Sequence, residues 1–235
     1  MADCQIRPVI PEERRDHRLT VTAIVTCHNH AQFIGDALSS IISQSGCESA
    51  VSVDQIVVVD DGSDDAPAPA AREVVPDVTV LRHRRRRGIA AARNSGWRAA
   101  RTDAIAFLDA DDAWTPPSLA VRARTLQADP TADVAFGSAQ VFTGEHVGYP
   151  EVARLPGTML ILTRARDLVG NFDESLTVGE TLDWVARAVH IGVRFTSVEE
   201  TVLLRRSHRT NTTRDRSAVR RDLLRVARAA HSRRS

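Results

Sequence analysis

The sequence predicts an α/β protein built on a mostly parallel sheet with helices on both faces. Three runs of β-branched and apolar residues have the length of buried strands: Thr20–Thr26, Gln55–Val59 and Ala104–Leu108. Segments with helical periodicity lie between these runs, and polar residues follow each of them. Strands that alternate with helices at this spacing are typical of a doubly wound sheet.

The first half of the chain is regular enough to assign each element. After the first strand, apolar residues recur at helical spacing from Phe33 to Ile42, which predicts a helix that ends before Gly46. The second strand stops at the turn sequence Asp60-Asp-Gly-Ser63. The other elements predicted here are a short helix at Ala68–Val75, a strand at Val78–Leu81, an alanine-rich helix at Ile89–Ala100 and the strand at Ala104–Leu108.

The second half is less regular. Its predicted elements are a helix at Ser118–Ala128, strands at Val134–Phe142 and Thr158–Leu162, a helix at Glu180–Ile191 with an apolar stripe of Leu182, Val185, Ala186 and Val189, and one strand within Phe195–Leu204. We therefore expect an N-terminal extension over 1–18 and a single domain over 19–213. That domain has two abutting halves, 19–112 and 113–213, and a basic amphipathic helix follows over 214–235.

Composition excludes several classes of protein. The chain has 235 residues, a formal net charge of +1 and 43% hydrophobic residues, which is ordinary for a globular protein. All 31 basic residues are arginine, so chemistry that needs a P-loop, Schiff-base or general-base lysine is excluded. The apolar runs are too short to cross a membrane, and residues 1–18 do not have the pattern of a signal peptide. We expect a cytoplasmic protein with reduced cysteines.

Polar and acidic clusters follow three of the predicted parallel strands. They are Thr26-Cys-His-Asn29, Asp60-Asp-Gly-Ser63 and Asp109-Ala-Asp-Asp112. Ligands of open parallel sheets bind at the carboxyl ends of the strands, so these clusters should meet at one rim. Grouped carboxylates repel one another unless a cation or hydrogen-bond donors compensate. The chain has no G-x-G-x-x-G segment, so a nucleoside diphosphate bridged by a divalent metal ion is a better expected ligand than a dinucleotide.

The sequence resembles the family-2 glycosyltransferases with the GT-A fold. The segments that carry the resemblance are 23–29 (AIVTCHN), 57–63 (VVVDDGS), 88–96 (GIAAARNSG), 107–112 (FLDADD), 169–174 (VGNFDE) and 179–187 (GETLDWVAR). The resemblance covers about residues 20–213. It implies inverting transfer of a sugar from a nucleotide-sugar donor, with UDP as the expected nucleotide, to a hydroxyl-bearing acceptor. It also assigns donor binding to residues 19–112 and acceptor binding to residues 113–213.

The same resemblance implies roles for individual residues. Asp111 would bind Mn²⁺ or Mg²⁺ on the diphosphate. Asp109 would lie beside the ribose and is a second candidate ligand of the same ion, and His208 is a third. Arg93 or part of the Arg84–Arg87 run would contribute donors to the phosphates. The full set of expected donor-binding residues is Thr26, His28, Asn29, Asp60, Asp61, Gly88, Arg93 and Asp109.

The general base is the position at which the sequence departs from the family. The family has Glu-Asp where this chain has Glu180-Thr181. We expect Asp183, three residues further along the same helix face, to be the base, with Glu180 as the second candidate. A surface ion pair between Asp183 and Arg187 is the alternative role for Asp183.

Several alternatives stay open at this point. A catalytically silent nucleotide-sugar-binding scaffold competes with the enzyme because of Thr181, and a sugar-nucleotide nucleotidyltransferase is a third class. Nucleic acid is not an expected partner because the net charge is low and aromatic residues make up only 4%. The C-terminal helix is expected to dock on the domain, with peripheral contact to an anionic membrane as the alternative. The acceptor (saccharide, lipid, peptide or small metabolite) and the oligomeric state are not specified.

Overall fold

A computed structural model describes residues 18–44, 50–143, 146–207 and residue 225. Within these residues, ten strands form one sheet that six α-helices flank. The strands are β1 (Leu19–Cys27), β2 (Val51–Asp60), β3 (Thr79–Arg82), β4 (Ala104–Asp109), β5 (Ala113–Trp114), β6 (Val134–Thr143), β7 (His146–Val147), β8 (Glu151–Val152), β9 (Met159–Leu162) and β10 (Phe195–Arg206). The helices are α1 (Ile34–Ile42), α2 (Pro67–Val74), α3 (Ile89–Ala99), α4 (Ser118–Ala128), α5 (Thr163–Val169) and α6 (Glu180–His190).

The strand order is β3-β2-β1-β4-β9-β6-β10-β5, with β7 and β8 paired to β6. The neighbours β3, β2, β1 and β4 are all parallel, as the first half of the sequence predicts. In the second half β6 and β10 are parallel, whereas β9 is antiparallel to β4 and β6, and β5 is antiparallel to β10. The α/β class is therefore confirmed, and the antiparallel pairs of the second half make the whole sheet mixed.

Two apolar cores lie on the two faces of the sheet. On β1, Val21, Ala23 and Val25 belong to the core that also contains residues of α1, whereas Ile24 belongs to the core that contains residues of α3. Both faces of β1 are covered, so it is the buried central strand of the parallel half. Gly96 on α3 allows close packing, because a Cβ atom there would lie 2.3 Å from Cγ2 of Ile24.

A β-bulge sets the alignment of β1 and β2. Val21 pairs with Val53 but Thr22 pairs with Gln55, which leaves Asp54 as an extra residue in β2. Beyond the bulge the register continues to the pair Cys27 and Asp60. The bulge therefore determines which β2 residue lies beside the end of β1.

Two predictions for the second half need correction. Helix α5 was not predicted, and the apolar stripe predicted for α6 is wrong at Leu182 and Val189, which are about half exposed, although Val185 is buried as predicted. The buried face of α6 instead carries Trp184, Val185 and Ala188. Trp184 packs within an aromatic cluster that includes Trp97 on α3, so a distant aromatic residue determines the rotation of this helix.

The chain ends lie largely outside the description. Of the predicted extension over 1–18 only Arg18 is described, and of the predicted helix over 214–235 only Arg225 is described. Among the described residues, the structure contains no helix with the length and apolarity needed to cross a membrane. The cytoplasmic location stays a prediction.

Candidate active site

The ends of β1, β2 and β4 bring the acidic clusters of the first half together. Cys27 at the end of β1 pairs with Asp60 of β2, and Thr26 pairs with Asp109 of β4. The Thr26 hydroxyl donates a hydrogen bond of 2.8 Å to Oδ1 of Asp109. Asp60 and Asp109 therefore lie on either side of one strand end, although 49 positions separate them in the sequence.

The two carboxylates of the Asp60-Asp61 pair have different surroundings. Asp60 is fully buried, and its Oδ1 accepts a hydrogen bond from the Ser63 backbone N–H. Its Oδ2 accepts no hydrogen bond from the described residues, and Nε of Arg82 lies 3.4 Å away. Asp61 instead accepts hydrogen bonds from the backbone N–H groups of Arg87 and Gly88, and its Oδ1 lies 2.7 Å from Nδ1 of His83. Asp61 thus holds the loop before α3, whereas one oxygen of Asp60 makes no hydrogen bond to the described residues.

The loop after β1 adds two polar side chains to the rim. Asn29 has a positive φ of 57° and connects this loop to the turn after β2, because its N–H donates to Ser63 Oγ and its Oδ1 accepts from the Asp64 N–H. His28 is partly buried, and its Nδ1 is buried without a hydrogen-bond partner among the described residues. A buried polar atom without a partner is costly unless a ligand or water satisfies it.

Arg93 connects the two halves of the molecule. Its side chain is 4% exposed, and Nη2 donates to Oδ1 of Asp109 at 3.1 Å. Nη1 donates to Oε1 of Glu180 and lies 3.4 Å from Oγ1 of Thr181. Burial alone would raise the pKa of Asp109, but the Arg93 guanidinium and the Thr26 hydroxyl lower it overall, so this side chain is ionised. Arg93 is therefore engaged with carboxylates rather than turned toward solvent.

The rest of the acidic loop lies against the last strand. The Asp111 carboxylate is 12% exposed and lies 3.9 Å from Nδ1 of His30. Oδ1 of Asp112 accepts a hydrogen bond from the backbone N–H of Arg206. Burial, and then the charges of Asp109 and Asp111, raise the pKa of Asp112 to about 8. The raised pKa favours the protonated form of Asp112, which reduces the negative charge on the loop.

The two candidate bases on α6 make different contacts. Oε1 of Glu180 accepts hydrogen bonds from Arg93 and from the Thr181 hydroxyl, while Oε2 accepts none from the described residues. Oδ2 of Asp183 accepts a hydrogen bond of 2.8 Å from Nε of Arg187. Arg187 also donates to the carbonyl groups of Val169 and Asn171, which connects α6 to the loop after α5. The ion pair considered for Asp183 is present.

The carboxylates of Asp109 and Asp111 have the oxygen chemistry that a hard divalent cation requires. Within residues 18–44, 50–143 and 146–207, no three His, Cys, Asp or Glu side chains are grouped to hold a metal ion. A site of three protein ligands is not required, because Mn²⁺ or Mg²⁺ can be bound by one or two carboxylates together with water and substrate phosphates. Asp109 and Asp111 therefore fit an ion that is shared with a diphosphate. His208 lies outside the described residues.

Arg206 at the end of β10 is a contact residue that the sequence pattern did not single out. Its Nε donates to the carbonyl group of Asp111, 95 positions earlier in the chain. In the sequence, Arg206 lies in the segment 205–211, which resembles one found near the donor diphosphate in some family members, but that pattern assigns no role to Arg206 itself. A contact of this separation cannot be identified from local spacing.

The chain belongs to glycosyl transferase family 2, whose family model matches residues 22–176. It is 34% identical to the succinoglycan biosynthesis protein ExoO of Rhizobium meliloti over 205 residues, which cover 74% of this chain and 57% of that protein. It is 27% identical to the pre-mycofactocin glycosyltransferase of Mycobacterium tuberculosis, covering 89% of this chain and 47% of that protein. The chain thus spans only about half the length of these relatives.

Solved structures share the fold. TarS 1–349 of S. aureus in complex with UDP-GlcNAc superposes with a TM-score of 0.76 and 19% identity, covering 92% of this chain and 66% of that one. The mannosyltransferase PcManGT of Pyrobaculum calidifontis, in complex with GDP-Man and Mn²⁺, superposes with a TM-score of 0.72 and 22% identity over the same shares. At these identities the similarity shows the fold, which is that of GT-A glycosyltransferases.

Proposed function

We propose that this chain is the catalytic part of an inverting glycosyltransferase. It transfers a sugar from a nucleoside-diphosphate sugar, with UDP-sugars as the first candidates, to a hydroxyl group of an acceptor. The observation that carries this proposal is the continuous set of contacts from Thr26 through Asp109 and Arg93 to Glu180, because it connects the rim of the parallel half to the helix that bears the candidate base. The bound sugar nucleotides of TarS and PcManGT, which share the fold, support the same class of donor.

In this proposal the nucleoside binds at the ends of β1 and β2. Oδ2 of Asp60 can accept an N–H of the base, and Nδ1 of His28 can bond to the base or ribose, since neither atom makes a hydrogen bond to the described residues, although Nε of Arg82 lies 3.4 Å from the Asp60 oxygen. Thr26 and Asn29 border the same rim. Asp61 and Gly88 contribute indirectly, because their mutual hydrogen bond fixes the loop before α3.

The diphosphate lies at the end of β4. Asp111 and Asp109 would hold the divalent ion, which neutralises charge on the departing nucleoside diphosphate. Arg93 has both ends of its guanidinium on carboxylates, so we assign it to fixing Asp109 and Glu180 rather than to binding phosphate. His208 stays a candidate ligand.

We assign the general base to Glu180 ahead of Asp183. Two donors fix Oε1 of Glu180, and Oε2 is left to accept a proton from the acceptor hydroxyl. The hydroxyl oxygen then attacks the anomeric carbon as the bond from that carbon to the phosphate oxygen breaks, which inverts the configuration. Asp183 pairs with Arg187 and is better placed to hold α6 against the loop after α5.

Donor binding provides the first test. Isothermal titration calorimetry with UDP- and GDP-sugars, with and without Mn²⁺, should show binding of one nucleotide class that the metal strengthens. Asp111→Asn should remove most of the effect of Mn²⁺, whereas Asp167→Asn, a matched change at an exposed site, should leave it intact. If no nucleoside diphosphate binds in the presence of Mn²⁺, the proposal is wrong.

The base assignment is tested by two isosteric variants. Glu180→Gln should lower the rate of donor hydrolysis or transfer by about 100-fold or more while leaving nucleotide affinity within about two-fold. Asp183→Asn should change the rate by less than about ten-fold. The reverse order would assign the base to Asp183.

A catalytically silent scaffold is the second candidate, because Thr181 stands where the family has aspartate. Its Oγ1 donates to Glu180, so it orients that side chain but cannot itself accept a proton as a carboxylate does. Release of free nucleotide from the donor that calorimetry identifies separates the two candidates. A silent scaffold binds the donor with Mn²⁺ but releases no nucleotide above the buffer rate, either alone or with any hydroxyl acceptor.

A further inference from the structure

The side chain of Arg206 lies beneath the acidic loop formed by residues 109–112. Its Nε donates a hydrogen bond of 3.2 Å to the Asp111 carbonyl, and its backbone N–H donates to Oδ1 of Asp112 at 2.9 Å. Its Nη2 also donates to Oδ2 of Asp36 in the first turn of α1, at 2.9 Å. One residue at the end of β10 therefore contacts both the loop and α1.

Two aromatic rings pack against this guanidinium. The Arg206 guanidinium carbon lies 4.9 Å from the ring centres of both Phe33 and Phe142. Phe33 immediately precedes α1, and Phe142 pairs with Arg206 in the sheet. A planar guanidinium held by two rings and directed hydrogen bonds has little freedom to reorient, unlike a lysine ammonium.

This arrangement bears on the orientation of Asp111. Asp109 is held by Thr26 and Arg93, so its position does not depend on Arg206. The peptide carbonyl of Asp111, in contrast, is held by Arg206, and the direction of that carbonyl restricts the backbone from which the carboxylate projects. The Arg206 charge also compensates the carboxylates concentrated in the loop.

We propose that Arg206 is a positioning residue that orients Asp111 for the divalent ion. This inference rests on the proposed function, since it concerns the ion shared with the donor diphosphate. Arg206 acts through the loop backbone and not by contact with the ion. Groups that orient metal ligands affect metal affinity by about 10- to 100-fold when they are removed.

The test compares two arginines that both lie against two rings. Arg154 lies over Phe136 and Phe195 at 5.1 and 5.2 Å, and among the described residues it makes no hydrogen bond or ion pair with the 109–112 loop. Arg206→Met and Arg154→Met therefore remove similar stacking contacts, but only the first removes the bond to Asp111. Binding of Mn²⁺ is measured by electron paramagnetic resonance with saturating UDP or GDP, and metal-free nucleotide binding is measured by calorimetry.

We expect Arg206→Met to weaken Mn²⁺ binding about ten-fold or more, with metal-free nucleotide affinity within about two-fold of the wild type. Arg154→Met should leave both values within about two-fold. Equal Mn²⁺ affinity in Arg206→Met and the wild type would overturn the inference, as would a parallel loss of metal-free nucleotide binding.

A milder variant covers the case in which Arg206→Met does not fold. Arg206→Lys retains the charge but not the planar fork, and we expect it to weaken Mn²⁺ binding several-fold; unchanged binding would contradict the inference. A wild-type protein that binds no nucleotide with Mn²⁺ would instead contradict the proposed function itself, so the two failures are distinguishable.

Discussion

The two halves of the molecule hold the carboxylates of the site with partners of different origin. In residues 19–112, backbone N–H groups bind Asp60 and Asp61, and the Thr26 hydroxyl and the Arg93 guanidinium bind Asp109. In residues 113–207, arginine side chains bind Glu180 and Asp183. Those partners of Asp60, Asp61 and Asp109 all belong to the same half, whereas Glu180 is bound by Arg93 of the other half, 87 positions away. The first arrangement therefore forms within one half, and the contact of Glu180 depends on how the halves pack.

Removal of Arg93 breaks the connection between the halves and has the largest expected effect. Arg93→Met leaves Asp109 and Glu180 without their shared cation, and Glu180 is buried. We expect the free energy of unfolding to fall by about 3 kcal/mol, as for a broken buried ion pair. Urea denaturation measures this change. Arg98→Met, an exposed site on the same helix, should stay within about 0.5 kcal/mol, and equal effects of the two changes would contradict the bridging role.

Two single substitutions compare a carboxylate bound by backbone N–H groups with a carboxylate bound by an arginine side chain. Asp61→Asn replaces with an amide a carboxylate that accepts from two backbone N–H groups and contacts Nδ1 of His83, and we expect a loss of about 2 kcal/mol. Asp183→Asn weakens an ion pair in which Arg187 is partly exposed, so we expect a loss of about 1 kcal/mol. Urea denaturation at low salt and in 1 M NaCl should show that salt reduces the Asp183 effect more than the Asp61 effect. An unchanged or larger Asp183 effect in salt would refute the distinction.

The difference between contacts within one half and contacts between the halves explains how much of the structure the sequence predicts. The strands of the parallel half and the rim that carries Asp60 and Asp109 follow from apolar runs and the turn residues that end them. Helix α5, the rotation of α6 and the Arg206 contact do not, because each depends on partners distant in the chain. The choice of general base shows where prediction from the sequence stops. Spacing favoured Asp183, whereas the hydrogen bonds of Glu180 become apparent only when α3 and α6 pack together.

Arg122 tests whether every buried arginine of the second half stabilises the fold. It is fully buried on α4, donates two hydrogen bonds to Ser118 and lies over the Trp114 ring, but among the described residues no carboxylate pairs with it. Burial lowers the pKa of Arg122, as expected for a charge without a carboxylate partner among the described residues. Arg122→Met should raise the free energy of unfolding by about 1 kcal/mol in urea denaturation. The exposed Arg124→Met is the control, and a loss of more than about 1 kcal/mol at Arg122 would contradict the prediction.

Cys27 should show no reactivity in the native protein, the smallest effect of the set. Burial, with the nearby charges of Asp65 and Asp60, raises the pKa of its thiol to about 12, and the reactive form is the thiolate. In a Cys4→Ser, Cys47→Ser background, iodoacetamide at pH 8 should label Cys27 only after unfolding in urea. Labelling of the native protein at a comparable rate would show that the end of β1 opens readily.

The extra residue in β2 has a consequence for how this site tolerates changes in chain length. Deleting Asp54 would remove the bulge but leave Gln55 opposite Thr22 and Asp60 opposite Cys27, because Asp54 has no partner on β1. Deleting one residue between Gln55 and Asp60 would instead bring Asp60 opposite Thr26 and turn its side chain to the other face of the sheet. The rim therefore tolerates the loss of a residue at the bulge but not the loss of one closer to the strand end.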